Sequence, residues 1–203
     1  MSVNVEYSSK EVSQVVLQNI LKMLVRRNNI SSIDKLFNDN KNDFSEKGLI
    51  DFKDDKNGKI SINLSNGKLS SIVQGSPLDD YLKNNTEVHK ILIMKEPSKK
   101  VVKQIMNEYT NAEIFFENEM MEDLPSKIFI PEHQLLTEEE KVNILETFKE
   151  IELAKINDTD IMSRYYLAKL GDIFRIIRPS ITAGKNIFYR RVVPGKIDQL
   201  FDN

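Results

Sequence analysis

Apolar residues recur at helical spacing near the start of the chain. Ser8 and Ser9 can cap a helix, and the pattern behind them predicts an amphipathic helix over residues 9–27. The apolar positions of this helix are Val12, Val15, Val16, Ile20, Met23 and Leu24. A second, short helix is expected around Leu36. The following stretch 38–57 is rich in Asn, Asp and Lys and is predicted to be a solvated loop.

Alternation of apolar and polar residues predicts strands in the rest of the first half. Residues 60–64 alternate between two Asn-Gly turns, which is typical of a half-buried strand. Residues 88–94 read as another strand, Pro97 and Ser98 begin a helix, and 114–116 form a further apolar segment. A strand, a helix and a second apolar segment within about thirty residues predict a βαβ unit.

The tripeptide 124–126 is the predicted domain boundary, because its proline interrupts the pattern. The two domains are then residues 1–125, with α/β character, and residues 126–203. At the start of the second domain, residues 128–130 are apolar and predict a short strand that ends at Pro131.

The second predicted domain combines a helix with paired strands. Thr137 and Glu140 form a capping box that predicts a helix. One face of this helix carries Val142, Leu145 and Phe148. Residues 172–178 and 186–193 are β-rich and flank a loop over 179–185, which predicts a hairpin. The fold class is therefore α+β, with an N-terminal α/β domain that contains the βαβ unit and a small C-terminal α/β domain that contains the hairpin.

Composition excludes several kinds of chemistry. The chain has 203 residues, 29 Lys and Arg against 31 Asp and Glu, and no Cys. Without cysteine there is no disulfide, no thiolate metal site and no cysteine nucleophile, which fits a reducing compartment. No apolar run approaches the roughly 20 residues that span a bilayer, and the first ten residues are polar. We therefore expect a soluble intracellular protein with no membrane partner.

Three local patterns resemble functional motifs but lack essential residues. Residues 55–60 resemble part of an EF-hand loop, yet lysine and leucine stand at two of the ligand positions. Gly184 and Lys185 resemble the end of a phosphate-binding loop without its Ser or Thr. His133 has no companion base or orienting residue in sequence. We expect no catalytic residue, no metal site, no cofactor and no small-molecule substrate, and a structural or partner-contacting role for His133.

The near-neutral total charge hides an uneven distribution. Residues 126–158 hold four Lys against eight acidic residues, a net charge of -4. Residues 159–197 hold eight Lys and Arg against two acidic residues, a net charge of +6. Two interpretations remain open: a solvated sheet face, or a surface that docks an acidic protein partner or phosphates.

Three motifs follow one another in the second half of the chain. They read I-P-E-H at 130–133, D-x-x-S-R-Y at 160–165, and G-D-I-F-R-I-I-R-P-S at 171–180 followed by T-A-G at 182–184. In this order and spacing they resemble the fifth subunit of eukaryotic RNA polymerases, whose C-terminal domain corresponds to one of the subunits of archaeal RNA polymerase. A weaker resemblance upstream extends the similarity over residues 88–193.

The resemblance implies a non-catalytic polymerase subunit with an N-terminal jaw domain and a C-terminal assembly domain. The assembly domain would anchor on the largest subunit, among other polymerase subunits. The jaw would border downstream duplex DNA within the complex, without sequence preference. The anchoring role carries over to His133, Arg164, Tyr165, Arg178, Ser180, Thr182, Gly184 and Tyr189. Gly184 would then turn the chain where a side chain would clash.

Residues 96–99, E-P-S-K, are similar to a T-P-S-A segment of the family jaw. They point to four DNA-facing residues: Pro97, Ser98, Lys99 and Lys100. A helix capped by Ser98 would present free N–H groups and two ammonium groups at one end, which suits a phosphate. An ordinary helix start is the equal alternative.

Other functions and two sources remain open. The chain is also consistent with a dissociable transcription adaptor or DNA-binding module that docks on polymerase transiently; an enzyme is the third hypothesis. Ile, Lys and Asn make up 64 of the 203 residues, which indicates AT-rich coding. A large DNA virus would place the protein in the virion and host cytoplasm, whereas an AT-rich protist would place it in the nucleus.

Overall fold

The computed structural model describes residues 7–149, 152–180 and 184–201. The chain divides into two units, Met1–Asp123 (unit 1) and Leu124–Asn203 (unit 2). This division lies two residues before the boundary expected from the sequence. Each unit combines helices with a four-stranded sheet, so the α+β fold class is confirmed.

Unit 1 is built on a mixed sheet with strand order β1-β2-β3-β4. Its helices are α1 (Ser9–Arg26), α2 (Asp34–Lys47), α3 (Pro77–Lys83), α4 (Lys99–Glu108) and α5 (Glu117–Met120). Its strands are β1 (Leu49–Lys53), β2 (Lys59–Leu69), β3 (Val88–Pro97) and β4 (Ala112–Phe116). Strand β1 is antiparallel to β2, and the other neighbours are parallel. Because α4 connects the parallel strands β3 and β4, the predicted βαβ unit is confirmed.

Helix α1 confirms the first prediction, including its start. Ser8 Oγ accepts the N–H of Glu11 at 3.3 Å, and the Glu11 carboxylate accepts the N–H of Ser8 at 2.8 Å. This capping box satisfies two backbone donors that the helix itself leaves unpaired. One face of α1 is fully buried, at Val16, Leu17, Ile20, Leu21, Met23 and Leu24. The helix therefore supplies much of the core of unit 1.

The loop predicted over residues 38–57 is wrong, because α2 and β1 occupy most of it. In α2 only Phe44 is buried, so the helix has little apolar pattern to reveal it. The helix ends at Gly48, whose φ of +66° favours glycine. A Cβ at Gly48 would also lie 2.8 Å from the backbone oxygen of Leu64. Strand β1 then forms through pairing with β2. Three of its five residues are apolar, but the Asn, Asp and Lys residues on both sides hide this short run in the sequence.

The second Asn-Gly pair, Asn66-Gly67, does not form the predicted turn. Strand β2 continues through it to Leu69 and shifts register against β3 between Ser65 and Lys68. The pair is therefore part of an irregularity inside a long strand, where glycine is also common. Pairing with β3 on the far side of the bulge keeps the chain extended.

Unit 2 is built on a second mixed sheet, with strand order β5-β7-β8-β6. Its strands are β5 (Glu132–Leu135), β6 (Ala154–Asn157), β7 (Ile173–Ser180) and β8 (Gly184–Val193). Its helices are α6 (Glu138–Thr147) and α7 (Ile161–Tyr165), and short 3-10 turns cover Leu124–Ser126 and Ile197–Phe201. Strand β7 is antiparallel to β5 and β8, whereas β6 is parallel to β8. The predicted hairpin of β7 and β8 is confirmed.

Residues 128–130 do not form the predicted strand. Ile128 is 100% exposed and Phe129 is 76% exposed, and both lie in a turn. Strand β5 begins only after Pro131, where Glu132 pairs with Ile177 of β7. Three apolar residues in a row predict burial, but here they precede the first strand of the sheet in the chain and belong to no strand.

Helix α6 begins with the predicted capping box, and its apolar face is exposed. Thr137 Oγ1 accepts the N–H of Glu140 at 3.3 Å, and the Glu140 carboxylate accepts the N–H of Thr137 at 3.0 Å. The side chains of Val142, Leu145 and Phe148 are all more than 40% exposed. The core of unit 2 consists of one cluster in the sheet (Ile156, Phe174, Ile176 and Val192) and a second cluster (Leu136, Leu153 and Ile173), against which Ile144 of α6 packs. No helix in the described ranges is long and apolar enough to cross a membrane.

Candidate functional site

Three of the predicted anchoring residues meet at the end of the β7–β8 hairpin. Ser180 pairs with Gly184, and Arg178 pairs with Asn186 two positions further in. Gly184 has a φ of +71°, which a residue with a side chain adopts only with strain. The predicted clash is wrong, because a Cβ there would meet no described atom within 4 Å. Glycine is required at this point by the backbone angle alone.

A groove of about 690 Å³ lies between this end of the hairpin and the segment that precedes β5. Apolar residues of that segment, including Ile128 and Phe129, line one side. Arg178 and Lys185 line the other side, Lys127 adds a third cation, and Glu132 is the acidic residue of the lining. The Lys127 ammonium lies 5.5 Å from the ring centroid of Phe129. The groove therefore combines exposed apolar surface with positive charge, which suits a partner that carries both apolar and acidic side chains.

His133 lies partly inside unit 2. Its Nδ1 lies 2.7 Å from the carbonyl oxygen of Pro131, and its ring meets Phe174 edge-on with the centroids 5.8 Å apart. Burial lowers the pKa of His133 below its ordinary value of 6.5, which favours the neutral ring at neutral pH. The imidazole therefore packs against the sheet and fixes the turn at Pro131.

Tyr165 and Arg164 belong to α7, and they have different surroundings. Tyr165 is 2% exposed and meets Tyr166 edge-on, with the ring centroids 5.3 Å apart. Tyr166 in turn meets Phe174 at 6.0 Å. Arg164 is half-buried and donates from Nε to the carbonyl of Thr159 at 3.2 Å. The tyrosine thus packs inside unit 2, while the arginine fixes the loop before α7.

Tyr189 and Thr182 complete the predicted anchoring set. Tyr189 pairs with Arg175 across the hairpin, and its ring centroid lies 6.4 Å from that of Phe148. A hydrogen bond that Arg175 donates to the Tyr189 side-chain oxygen is the main reason that the pKa of Arg175 is raised above its ordinary value. Thr182 lies outside the described residues. The structure therefore brings Arg178, Ser180 and Gly184 together and leaves the other described members at separate places in the sheet and α7.

The predicted DNA-facing residues lie at the start of α4 in unit 1. Ser98 caps this helix, because its Oγ accepts the N–H of Val101 at 3.3 Å. The same hydroxyl donates to the carbonyl of Ser70 at 3.0 Å, so the cap also holds the segment after β2. Lys99 and Lys100 are exposed, and Pro97 is partly buried at the end of β3. Two exposed lysines at a helix N-terminus form a positive end.

Similarity to proteins of known name shows which family this chain belongs to. The family described as "RNA polymerase Rpb5, C-terminal domain" matches residues 123–192. DNA-directed RNA polymerase subunit 5 of Acanthamoeba polyphaga mimivirus is 32% identical over 197 residues, which cover 92% of this chain and 94% of that protein.

This chain belongs to the RNA polymerase subunit 5 family.

Cellular members of the subunit 5 family are also similar to this chain. The RNA polymerase I, II and III subunit of Dictyostelium discoideum is 30% identical over 148 residues, 70% of this chain and 75% of that protein. Subunit Rpo5 of the archaeon Archaeoglobus fulgidus is 40% identical over 73 residues, 34% of this chain and 95% of its own length. The resemblance seen in the sequence motifs is thus confirmed. The hairpin end and α7 fall inside the matched family domain, whereas residues 194–201 lie beyond it.

Sequence reasoning misses two parts of this subunit 5 surface. The apolar pattern assigns Ile128 and Phe129 to a strand, and it places Ile187 and Phe188 of β8 inside an ordinary hairpin strand. All four are exposed, and Arg178 lies 5.4 Å from the ring centroid of Phe188. In the sequence, the signal that could indicate exposed apolar residues at these positions is the presence of cations close to them, such as Lys127 and Lys185. In the described part of the chain, no three His, Asp or Glu side chains are close enough together to hold a metal ion.

Proposed function

We propose that this chain is a non-catalytic subunit of a DNA-directed RNA polymerase. The observation that carries the proposal is the similarity to a viral polymerase subunit over 92% of the chain. A viral polymerase is the favoured setting, because the Dictyostelium relative matches only 70%. The protein would then act in the virion and host cytoplasm, with a nuclear polymerase as the alternative.

Unit 2 is proposed to be the assembly domain, which anchors on the largest subunit. Arg178, Ser180 and Gly184 lie at the end of the hairpin, beside the groove, where a partner can reach them. Arginine beside exposed aromatic and aliphatic side chains is typical of the residues that dominate interface energies. His133 and Tyr165 support this surface from inside, because their rings pack against the sheet and α7.

Replacing Arg178 with glutamate is expected to remove the chain from the polymerase. The change reverses the charge of an exposed side chain beside the groove and removes its contact with Phe188. We expect the amount bound to the largest subunit to fall about tenfold or more, equivalent to about 1.4 kcal/mol of binding free energy. The measurement is the number of copies per largest subunit after purification in high salt.

The matched control is Lys149→Glu, which makes the same charge change at another exposed position of unit 2. It should leave one copy per enzyme. Equal thermal unfolding of the wild type and both variants would show that binding, and not folding, is affected. Full retention of Arg178→Glu would contradict the anchoring surface. Loss of the wild type itself in high salt would favour a transiently docking adaptor over a subunit.

Unit 1 is proposed to be the jaw domain, which borders downstream duplex DNA. The exposed Lys99 and Lys100 at the start of α4 support this role, because phosphate contacts require no base recognition. Ser98 contributes by fixing the helix start, and Pro97 by ending β3 next to it. A contact of this kind depends on salt and not on sequence.

A Lys99→Glu, Lys100→Glu double variant is expected to lower crosslinking to downstream DNA in the assembled polymerase. Each phosphate contact removed should also reduce the salt dependence of DNA binding by about one unit of slope. The control is Lys35→Glu, Lys47→Glu, which makes the same charge change on α2. Crosslinking equal to that of the wild type in the first variant, with normal incorporation, would remove the DNA-facing role.

A further inference from the structure

The outer edge of β8 lacks a neighbouring strand along half of its length. Strand β8 lies between β7 and β6 in the sheet, and β7 pairs with its residues Gly184–Arg191. Strand β6 is short, however, and pairs only with Arg190–Val193. Among the described residues, Gly184–Phe188 therefore have no strand on the side of β6. At about 3.4 Å per residue this free edge is roughly 17 Å long.

The hydrogen bonds at the end of β8 show which backbone groups face the free edge. Val192 donates its N–H to Asp172 at 2.8 Å, on the β7 side. The carbonyl of Val193 accepts the N–H of Asp158 at 2.9 Å, on the β6 side. Backbone groups alternate between the two sides of a strand, and β7 and β8 pair without a register shift. The N–H and C=O groups of Lys185 and Ile187 therefore point to the free edge.

Side chains along this edge are also uncovered. Ile187 is 55% exposed and Phe188 is 46% exposed, and neighbouring residues of a strand lie on opposite faces. An exposed edge with apolar side chains on both faces is a template for pairing with another chain. Within the described part of the chain, exposed apolar area and backbone groups without a strand partner thus coincide over these five residues.

We propose that this edge is completed by an extended, acidic segment of the polymerase subunit on which unit 2 anchors. The segment adds a strand beside Gly184–Phe188, in line with β6. The free stretch Gly184–Phe188 carries Lys185 and no acidic residue, and Arg178 pairs opposite Asn186 on β7, so carboxylates on the added strand complement this local charge. The inference rests on the proposed function and names how unit 2 holds its partner.

The chemistry of the edge favours a peptide over nucleic acid. A strand offers N–H and C=O groups in alternation, which pair with both kinds of group at Lys185 and Ile187. Phosphate oxygens only accept hydrogen bonds, so they would leave the two carbonyls unpaired. A second copy of β8 is also disfavoured, because its cations would oppose those of the first copy.

Amide hydrogen exchange of the wild-type chain tests the proposal without a mutation. In the isolated chain, the amides of Lys185 and Ile187 should exchange quickly, and the amide of Phe188 slowly because it bonds to β7. In the assembled polymerase, the Lys185 and Ile187 amides should slow by about tenfold or more. Unchanged exchange at both residues in a stably bound chain would overturn strand addition and leave the subunit role standing.

Two variants at one position separate the backbone from the side chain. Ile187→Pro removes the outward N–H, whereas Ile187→Thr keeps it together with a β-branched side chain. We expect Ile187→Pro to lower retention by the largest subunit about tenfold or more, and Ile187→Thr about threefold or less. Circular dichroism of each isolated variant checks folding, and the exchange experiment decides if the proline variant does not fold.

The remaining outcomes also decide the question. Equal loss in both variants would show that side-chain contact, and not strand pairing, holds the edge. Protection of Lys185 and Ile187 in the isolated chain that grows with its concentration would show pairing between two copies and overturn the proposal. Failure of the wild-type chain to bind polymerase would remove the proposed function and this inference together.

Discussion

Replacing Arg27 with methionine is expected to destabilise unit 1 by about 3–5 kcal/mol, because it leaves a buried carboxylate without its main partner. Nη1 and Nη2 of Arg27 each lie 2.8 Å from an oxygen of Glu113. The two side chains are only 5% and 11% exposed. His89 contacts the same carboxylate from β3, so the cluster joins the end of α1 to two strands.

The adjacent arginine provides a matched control. Arg26 makes a similar two-point contact with Asp123, at 2.6 and 2.9 Å, but its side chain is 30% exposed. Arg26→Met is therefore expected to cost only about 1 kcal/mol. Chemical denaturation of the full chain, read through hydrogen exchange at α1 and β4, measures unit 1 separately. Equal losses in the two variants would contradict the role of burial.

The stability of the wild type and of the Arg27→Met variant should depend differently on pH. Burial is the strongest influence on the pKa of Glu113 and raises it, yet Arg27 and His89 together hold this pKa below its ordinary value of 4.5. In the wild type the carboxylate stabilises the fold above pH 4.5, and this contribution is lost as the pH falls below that value. Without Arg27 the pKa of Glu113 rises, so protonation relieves the variant. The difference in unfolding free energy should therefore shrink from pH 7 towards pH 4.5.

Replacing Phe174 with alanine is expected to destabilise unit 2 by about 3–5 kcal/mol. The side chain is fully buried and lies among Ile156, Ile176 and Val192. Its ring also meets the ring of His133, so the variant loses an aromatic contact in addition to a large apolar volume. Denaturation read through hydrogen exchange at β7 and β8 measures the loss.

Phe129→Ala removes the same side chain from an exposed turn of unit 2. Because that ring is 76% exposed, we expect a change within about 0.5 kcal/mol.

The pKa of His133, which burial lowers, provides a second measurement on the Phe174→Ala variant. In Phe174→Ala more water reaches the imidazole, so an NMR titration should show its pKa rising towards 6.5. An unchanged titration would mean that Phe174 does not shield His133.

Much of the fold could be predicted because its signals are local. The capping boxes at Ser8 and Thr137 involve residues three positions apart, and both predicted helices begin there. The hairpin of β7 and β8 was predicted for the same reason, since its two apolar runs flank a turn. A short helix was predicted around Leu36, where α2 begins, but its continuation to Lys47 was missed because only Phe44 is buried along it. Strand β1 was missed because it forms only when β2 is beside it.

The motifs predicted which residues belong to the candidate site, but not which of them face solvent and which are buried. The motifs identified Arg178, Ser180 and Gly184, which the structure brings to one end of the hairpin. The same motifs contain Tyr165, which is 2% exposed and packs inside unit 2. A motif records which residues occur together, and it does not separate those that face a partner from those that support them.

The sequence by itself determined the family of this protein and the main elements of both units, since motifs and caps depend on residues close together in the chain. Only the tertiary structure decided which surfaces stay uncovered. The apolar residues at 128–130 are left out of the sheet because β5 begins after Pro131. The edge of β8 is free because β6 ends its pairing at Arg190. Both facts depend on how far neighbouring strands extend, and strand extent is set by pairing between residues distant in sequence.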